Sequence, residues 1–536
     1  MPERIAAGTS HRVDVVDVTD GDTVDVQFPD GGEEEVRIIG LDTPETKRNQ
    51  RFERVQEWEG IEDPQTLVEW GEEAKAFARE RLSGATVTLS FDPSEPVRDQ
   101  FGRLLCYLEY DRDGGRTFYN RELLAEGLAR VYDSGVTNHD AFRAVEREAR
   151  DENQGLWTES DPAATPPVRN RAVAEVYVPH PTSVRTDSGP LPQDRAPVKA
   201  EASATQELLA ADAVSYDDAP IPLVGVDEEA RVGMVGGLLP DEIYEGAEGF
   251  PVDTSTYEPY VFLTNLLTWL SDREGSVLVD GGHGQFGVDY ALSAEDAAYY
   301  QRYLEGQGIA FEQRNRLSAS FLDRGRTLLV TNPVGRFGAG ELDRLREFRD
   351  DGGAVVLLGS ATAPAFVREH LNEIAAALDS DLRANADRVR DDRHALDDDP
   401  TLPTTARFDR SLPLFGAYGA GGAEGQTVAL ELADVTADPP GDDRDSLAEE
   451  TVTLANRGDA PLDLTGWALS DLAGRSYAFP DEFELGAGDR VTVHSGAGTD
   501  TERDLYWDAG RPVWNNRGDT VVVTDEEDVE LLRTTY

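Results

Sequence analysis

The chain predicts a multidomain protein whose parts differ in class: a small β-barrel with helices packed outside it (α+β), a doubly wound α/β parallel sheet, and an antiparallel all-β sandwich. Three observations predict this. At 536 residues the chain exceeds what one hydrophobic core supports, since single cores stop growing near ~250–300 residues. Its hydrophobic periodicity changes twice along its length, which marks a change of class each time. Its hydrophobic content of 39% excludes wholesale disorder, which needs low hydrophobicity alongside high charge.

Residues 1–160 read as the barrel. Valine alternates from Val13 to Val26, and short strands follow at Glu35 to Leu41, Ala85 to Phe91 and Leu104 to Tyr110. Apolar residues at helical spacing predict helices over Val68 to Leu82, Asn120 to Ala129 and Ala141 to Asn153. Strands joined by tight turns and closed by helices give a barrel with helices outside it.

Residues 161–205 are rich in Pro, Thr and Ser, as in DPAATPPV and GPLPQDRAP, and are expected to be a flexible linker. Residues 206–420 alternate short apolar strands, flanked by glycine, with amphipathic helices: SVLVDGG, AEDAAYYQRYLEGQG, TLLVTNP, AGELDRLREFRDDGG and AVVLLGS. That order is the signature of a parallel sheet covered on both faces. Residues 426–536 run through TVTLANRGDAPLDL, GWALSD, YAFP, DRVTVHSG and DTVVVTD, strand after strand with turn signals between, which predicts the sandwich.

Asp and Glu number 105 against 50 Lys and Arg, for a formal net charge of -55, and Lys47, Lys75 and Lys199 are the lysines. Carboxylates spread over every segment keep a protein hydrated in concentrated salt, where their repulsion is screened over about 3 Å at 1 M. An extreme halophile, of archaeal type, is the expected habitat. The single cysteine, Cys106, excludes an intramolecular disulfide and a zinc site built from several cysteines. No run of 18 apolar residues and no apolar signal segment at the start are found, so no membrane-spanning segment and a cytoplasmic location are expected. An extracellular or cell-surface location is the alternative if the true start lies upstream.

The chemistry is carried by three motifs in order: Asp20-Gly21-Asp22-Thr23, then Arg37 through Asp42-Thr43-Pro44-Glu45-Thr46, then Asp99-Gln100-Phe101-Gly102-Arg103. Cleaving a phosphodiester needs a cation against the phosphate charge, a positioned water, and donors that hold the charge of a pentacoordinate phosphorus. Calcium takes carboxylate and carbonyl oxygens, which Asp22, Asp42 and the Thr43 carbonyl offer. Glu45, beyond a proline that stiffens its turn, is placed as general base or orienter of the water. Arg37 and Arg103 bring planar, permanently charged forks for the phosphate oxygens.

These motifs resemble the staphylococcal nuclease (thermonuclease) family over about residues 11–157. The resemblance implies an OB-fold barrel, a requirement for Ca2+, and hydrolysis of DNA and/or RNA to a 5'-hydroxyl and a 3'-phosphate. It implies Asp22, Asp42 and Thr43 as metal ligands and Arg37, Glu45 and Arg103 as catalytic residues. Two departures stand out: Gln100-Phe101, where the best-known members carry a basic residue and a tyrosine, and the stretch Arg48 to Glu69, expected to enlarge a mobile loop. Tyr132 is the candidate substrate contact.

The central segment resembles the class I glutamine-amidotransferase-like sheet, and more closely a haloarchaeal type of it marked by Asp280-Gly281-Gly282-His283-Gly284-Gln285. Amidotransfer needs a cysteine at a strand-to-helix turn, and Cys106 lies elsewhere, so that chemistry is excluded. Asp280 and His283 remain the candidates for a second site, against the plainer role of a tight turn. The last segment resembles the lamin tail domain, an immunoglobulin-like sandwich. The residues that carry it are Asn456-Arg457-Gly458, Leu464 to Asp471, Tyr477 to Pro480, Leu505-Tyr506-Trp507 and Val513 to Thr520. This second likeness implies a tether to protein or surface, with Trp467 and Trp514 as core and corner residues. The competing reading is a nucleic-acid-binding scaffold that has lost catalysis, and the intact Asp22, Asp42 and Glu45 argue against it.

Overall fold

The computed structural model describes the chain apart from residues 1–4, 113, 167, 218, 241–252, 420–429, 438, 440–446, 457–460, 472–474, 481–482, 502, 516–519, 525–529 and 536. Arg457-Gly458 and Asn516 to Asp519 of the tail motifs therefore lie outside the described residues. The chain forms two compact units, one of residues 1–168, 178–254 and 270–404, the other of residues 169–177, 255–269 and 405–536. Residues 255–269 and 405–420, assigned by sequence to the central domain, thus cluster with the tail.

In the first unit, β1 (Ser10–Val18), β2 (Thr23–Gln27), β3 (Glu33–Ile38), the short β4 (Leu41–Asp42), α1 (Pro64–Leu82), β5 (Thr86–Ser90), β6 (Leu104–Arg112), β7 (Gly115–Phe118), α2 (Tyr119–Ala125), β8 (Arg130–Val131) and α3 (His139–Asp151) follow in order. The ladder β3-β2-β1-β5-β6 closes on itself through a parallel β3–β6 pairing, Val36 opposite Leu104, to make a five-stranded OB-type barrel. Alternation does the sorting: Val13, Val15, Val24, Val26, Val36 and Ile38 point inward and are buried. Helix α1 begins at Pro64, ahead of the expected Val68, because the Asp63 carboxylate caps it by accepting the Gln65 N–H at 3.0 Å.

Two sequence expectations are corrected within this unit. The stretch Arg48 to Glu69 is a packed wall and not a loose loop: Trp58 (1% exposed) and Ile61 (2%) are buried in a cluster with Leu67, Leu156 and Trp157. The segment read as a flexible linker is also folded. Val184–Thr186 pairs with Leu382–Ala384, and Thr205–Leu208 pairs with Asp387–Arg390. Its polar residues have a buried partner, since the Asp387 carboxylate accepts from Thr182 Oγ1 at 2.6 Å, Ser183 N at 2.8 Å and Ser183 Oγ at 2.6 Å.

The same unit holds the α/β sheet, in the order Val224–Asp227, Val232–Val235, Ala354–Leu358, Gly325–Thr331, Ser276–Asp280, Phe311–Arg314. The first strand is antiparallel to its neighbour, and the other five run parallel. Helices Ala294–Gly306 and Ala339–Asp350 connect strands of this sheet, and Ala365–Ala377 follows Ala354–Leu358, the last of them in sequence.

In the second unit, two four-stranded sheets enclose Leu454, Leu464, Leu469, Val491, Trp514 and Val521. One pair, Arg490–His494 with Asp504–Tyr506, is parallel in a sandwich otherwise built of antiparallel ladders. Trp514 is 2% exposed, and Trp467 packs partly buried on the same core. Among the described residues no helix is long and apolar enough to cross a membrane.

Candidate active site

The end of the barrel carries a cavity of about 180 Å³ lined by Asp20, Asp22, Thr23, Arg37, Asp42, Thr43, Pro44, Glu45, Asn49 and Arg103. All six residues named from the three motifs therefore reach one place, although 81 residues separate Asp22 from Arg103. Helix α2 fixes the turns that bring them there. Tyr119 donates its hydroxyl to the Gly21 carbonyl at 2.8 Å, and the Asn120 amide donates to the Ile39 carbonyl at 2.8 Å, so the turns before Asp22 and Asp42 hang from adjacent buried side chains.

Asp22 is 2% exposed and accepts from the Thr43 N–H at 2.8 Å and the Thr43 hydroxyl at 2.9 Å. Arg37 pairs with both Asp22 and Asp42. Burial pushes the Asp42 carboxyl up, but Arg37 and then Arg130 outweigh it and hold it below the usual range. Arg103 is aimed by Asp99, whose carboxylate accepts its Nε–H at 2.7 Å and its backbone N–H at 2.9 Å across a turn that needs Gly102 at φ +91°.

Glu45 sits in a more acid-rich place. Burial first, then the charges of Asp42, Asp20 and Glu53, push it up to about 7. Its N–H donates to the Glu53 carboxylate at 2.5 Å, and Glu53 in turn accepts the Trp58 indole N–H at 2.9 Å. Asp20 is likewise raised, by burial above all.

Sequence reasoning missed Arg130, Glu53 and Glu57. Arg130, 6% exposed, pairs with Glu57 and reaches Asp42 at 3.4 Å. No motif links these residues, because 88 positions separate Arg130 from Asp42. Tyr132 does not line the cavity; its hydroxyl donates to Glu295 of the α/β sheet's first connecting helix at 3.0 Å.

Asp280 and His283 do meet. The His283 Nδ1 lies 2.9 Å from the buried Asp280 carboxylate, its Nε2 is 3.4 Å from Glu341, and its ring stacks on Phe337 at 3.8 Å. Gln285 also donates to Asp280, at 2.5 Å. Both imidazole nitrogens are thus engaged in holding the Gly-rich turn.

No group of three or more His, Cys, Asp or Glu forms a metal cage among the described residues. The donor set of the barrel cavity nevertheless fits a hard cation: Asp20, Asp22, Asp42 and Glu45 face two arginines there.

Residues 35–159 match the family model described as Staphylococcal nuclease homologue, and residues 424–536 match that described as Lamin Tail Domain. Among similar proteins, Uncharacterized protein MJ1439 of Methanocaldococcus jannaschii is 42% identical over 149 residues, 27% of this chain and 72% of that protein. Endonuclease YncB of Bacillus subtilis is 34% identical over 166 residues, 29% of this chain and 69% of its own length. The thermonuclease of Staphylococcus hyicus is 31% identical over 147 residues, 27% of this chain and 74% of its own length.

Proposed function

The chain belongs to the family of staphylococcal nuclease homologues, and from that membership we propose that its barrel hydrolyses phosphodiester bonds of DNA or RNA with calcium as its metal. One observation carries this reading: four carboxylates and two arginines share a single cavity, where burial first, and then neighbouring carboxylates, raise Asp20 and Glu45. Asp22, Asp42 and the Thr43 carbonyl would hold a divalent cation there, which would offset the negative charge of the carboxylates. When bound, calcium neutralises phosphate charge and favours ionisation of the attacking water.

The remaining work falls to side chains of the chain itself. Glu45 takes the proton of the water, and its buried setting makes it a stronger base than an exposed carboxylate. Arg103, pre-aimed by Asp99, and Arg37 donate to the non-bridging oxygens as charge builds on phosphorus. A pure binding scaffold has no use for a water-activating carboxylate beside these groups.

The setting is proposed with it: a halophilic cell, where counterion release contributes little to binding a polyanion and the cation and arginines must supply it. The lamin tail domain tethers the nuclease to a protein or surface. Single-stranded DNA in molar KCl, with calcium or with chelator, tests the reaction. Cleavage is expected with calcium and not with chelator, and Glu45→Gln is expected to lower kcat by ~10²–10⁴ with a Tm no lower than the wild type's. Cleavage in chelator, or full activity in E45Q, would sink the mechanism.

A further inference from the structure

The barrel and the α/β sheet meet within one compact unit, through a polar surface. Gln313, fully buried, donates to the Ser134 carbonyl at 3.0 Å and accepts its N–H at 3.2 Å. Asn315 donates to the Ser134 and Val136 carbonyls at 2.9 and 3.1 Å, and Arg302 pairs with Glu62. These contacts hold the two surfaces together at a distance from the cavity lining. A neighbouring one leads to it.

Helix Ala294–Gly306 packs on the turn Val55–Glu57, and Glu295 in its first turn accepts the Tyr132 hydroxyl at 3.0 Å and stands 3.6 Å from Arg54. Arg54 reaches Glu57 at 3.2 Å, Glu57 pairs with Arg130, and Arg130 reaches Asp42 at 3.4 Å. Asp42 pairs with Arg37, and Arg37 with Asp22. Charge sign alternates at every link from the α/β domain to the cavity floor. The Tyr132 ring lies 5.8 Å from the Arg130 guanidinium, so Glu295 reaches the Glu57–Arg130 pair from both ends, through Arg54 beside Glu57 and Tyr132 beside Arg130.

Exposure decides how firmly such a chain couples. The side chains of Arg130 and Glu57 are 7% and 8% exposed, where salt screens little, whereas those of Arg54 and Glu295 are 27% and 29%. The inner pair is therefore rigid once its outer partners are fixed, and an unfixed Arg54 would leave Glu57 free to choose between two arginines.

We propose that Glu295 is a positioning residue of the nuclease site: through Arg54 and Tyr132 it fixes the Glu57–Arg130 pair that holds Asp42. The α/β domain thereby completes the barrel's active site. This rests on the nuclease reading above. The ordinary role of a first-turn acid, steadying a helix N-terminus, predicts instead a lower Tm with unchanged kcat.

The test uses the full chain on single-stranded DNA with calcium, with kcat, KM and Tm read for each variant. Glu295→Gln is expected to lower kcat about ten-fold with KM within about two-fold, since small misplacements at a reacting centre are costly. Glu295→Asp recovers most of the loss, and Arg302→Ala, which cuts a contact at a distance from the cavity lining, cleaves like the wild type. Arg54→Ala, the next link, loses the same factor, and adding E295Q to it costs less than about two-fold more. Unchanged kcat in a folded E295Q or R54A, or losses that multiply in the double variant, overturns the proposal. A wild-type chain that cleaves nothing overturns the nuclease reading itself, whereas an active wild type with an indifferent E295Q overturns only the positioning role.

Discussion

Gly71 lies in the middle of α1, where glycine costs about 1 kcal/mol against alanine, yet a Cβ there would stand 2.5 Å from the Glu45 carbonyl oxygen and 2.6 Å from that of Pro44. The helix carries the glycine so that the Glu45 turn can rest directly on it. Gly71→Ala is expected to push that turn off the helix and lower kcat about 100-fold, a loss far larger than its effect on Tm. Steady-state cleavage beside calorimetry checks this, and retained kcat would show that the turn yields freely. What Gly71 rests against was not legible in the sequence, because Pro44 and Glu45 lie more than 25 positions earlier. By contrast the meeting of Asp22, Arg37, Asp42, Thr43, Glu45 and Arg103 in one cavity was legible, because each belongs to a short motif of near neighbours. Arg130 and Glu57 were not, since pairing across 73 positions leaves no local trace.

At the scale of elements, the stretch Arg48 to Glu69 shows how composition misleads. Charged residues dominate it, but Trp58 supplies an anchor whose ring lies 6.2 Å from that of Trp157, and its N–H holds Glu53 beside Glu45. Trp58→Ala removes the anchor and the donor together. A loss of about 3–5 kcal/mol is expected from the buried indole alone. Activity should fall with it at temperatures where the barrel remains folded, because Glu53 is released, and a variant as active as wild type at 25 °C would mean the wall does not serve the site. The Pro-, Thr- and Ser-rich segment misled in the same way. Low apolar content argues that a segment cannot fold alone, and Val184 does not need it to, because a strand 200 positions later receives it.

For the whole molecule, class was legible wherever periodicity is local: a barrel, a largely parallel sheet with its helices and a sandwich are all present. How modules pack was not, because an interface of polar groups looks like surface in a sequence. Glu305 makes the point. It lies on the helix that faces the barrel, and burial first, then the charge of Glu59, pushes its carboxyl from 4.5 up to about 7, with Gln301 donating to it at 2.7 Å. A carboxyl raised in the folded state disfavours the charged form there, so its contribution to stability is fully present below about pH 4.5 and is lost as pH rises through 7. Glu305→Gln keeps the shape and removes the titration. The variant is therefore expected to melt above the wild type at pH 8, where the charged wild-type carboxylate costs at most ~3 kcal/mol. Its advantage should shrink steadily as pH is lowered to 5. Equal Tm values at both pH values, or an advantage that grows toward acid, would show that Glu305 finds water or a cation in the folded chain and that the barrel and sheet do not seal against each other there.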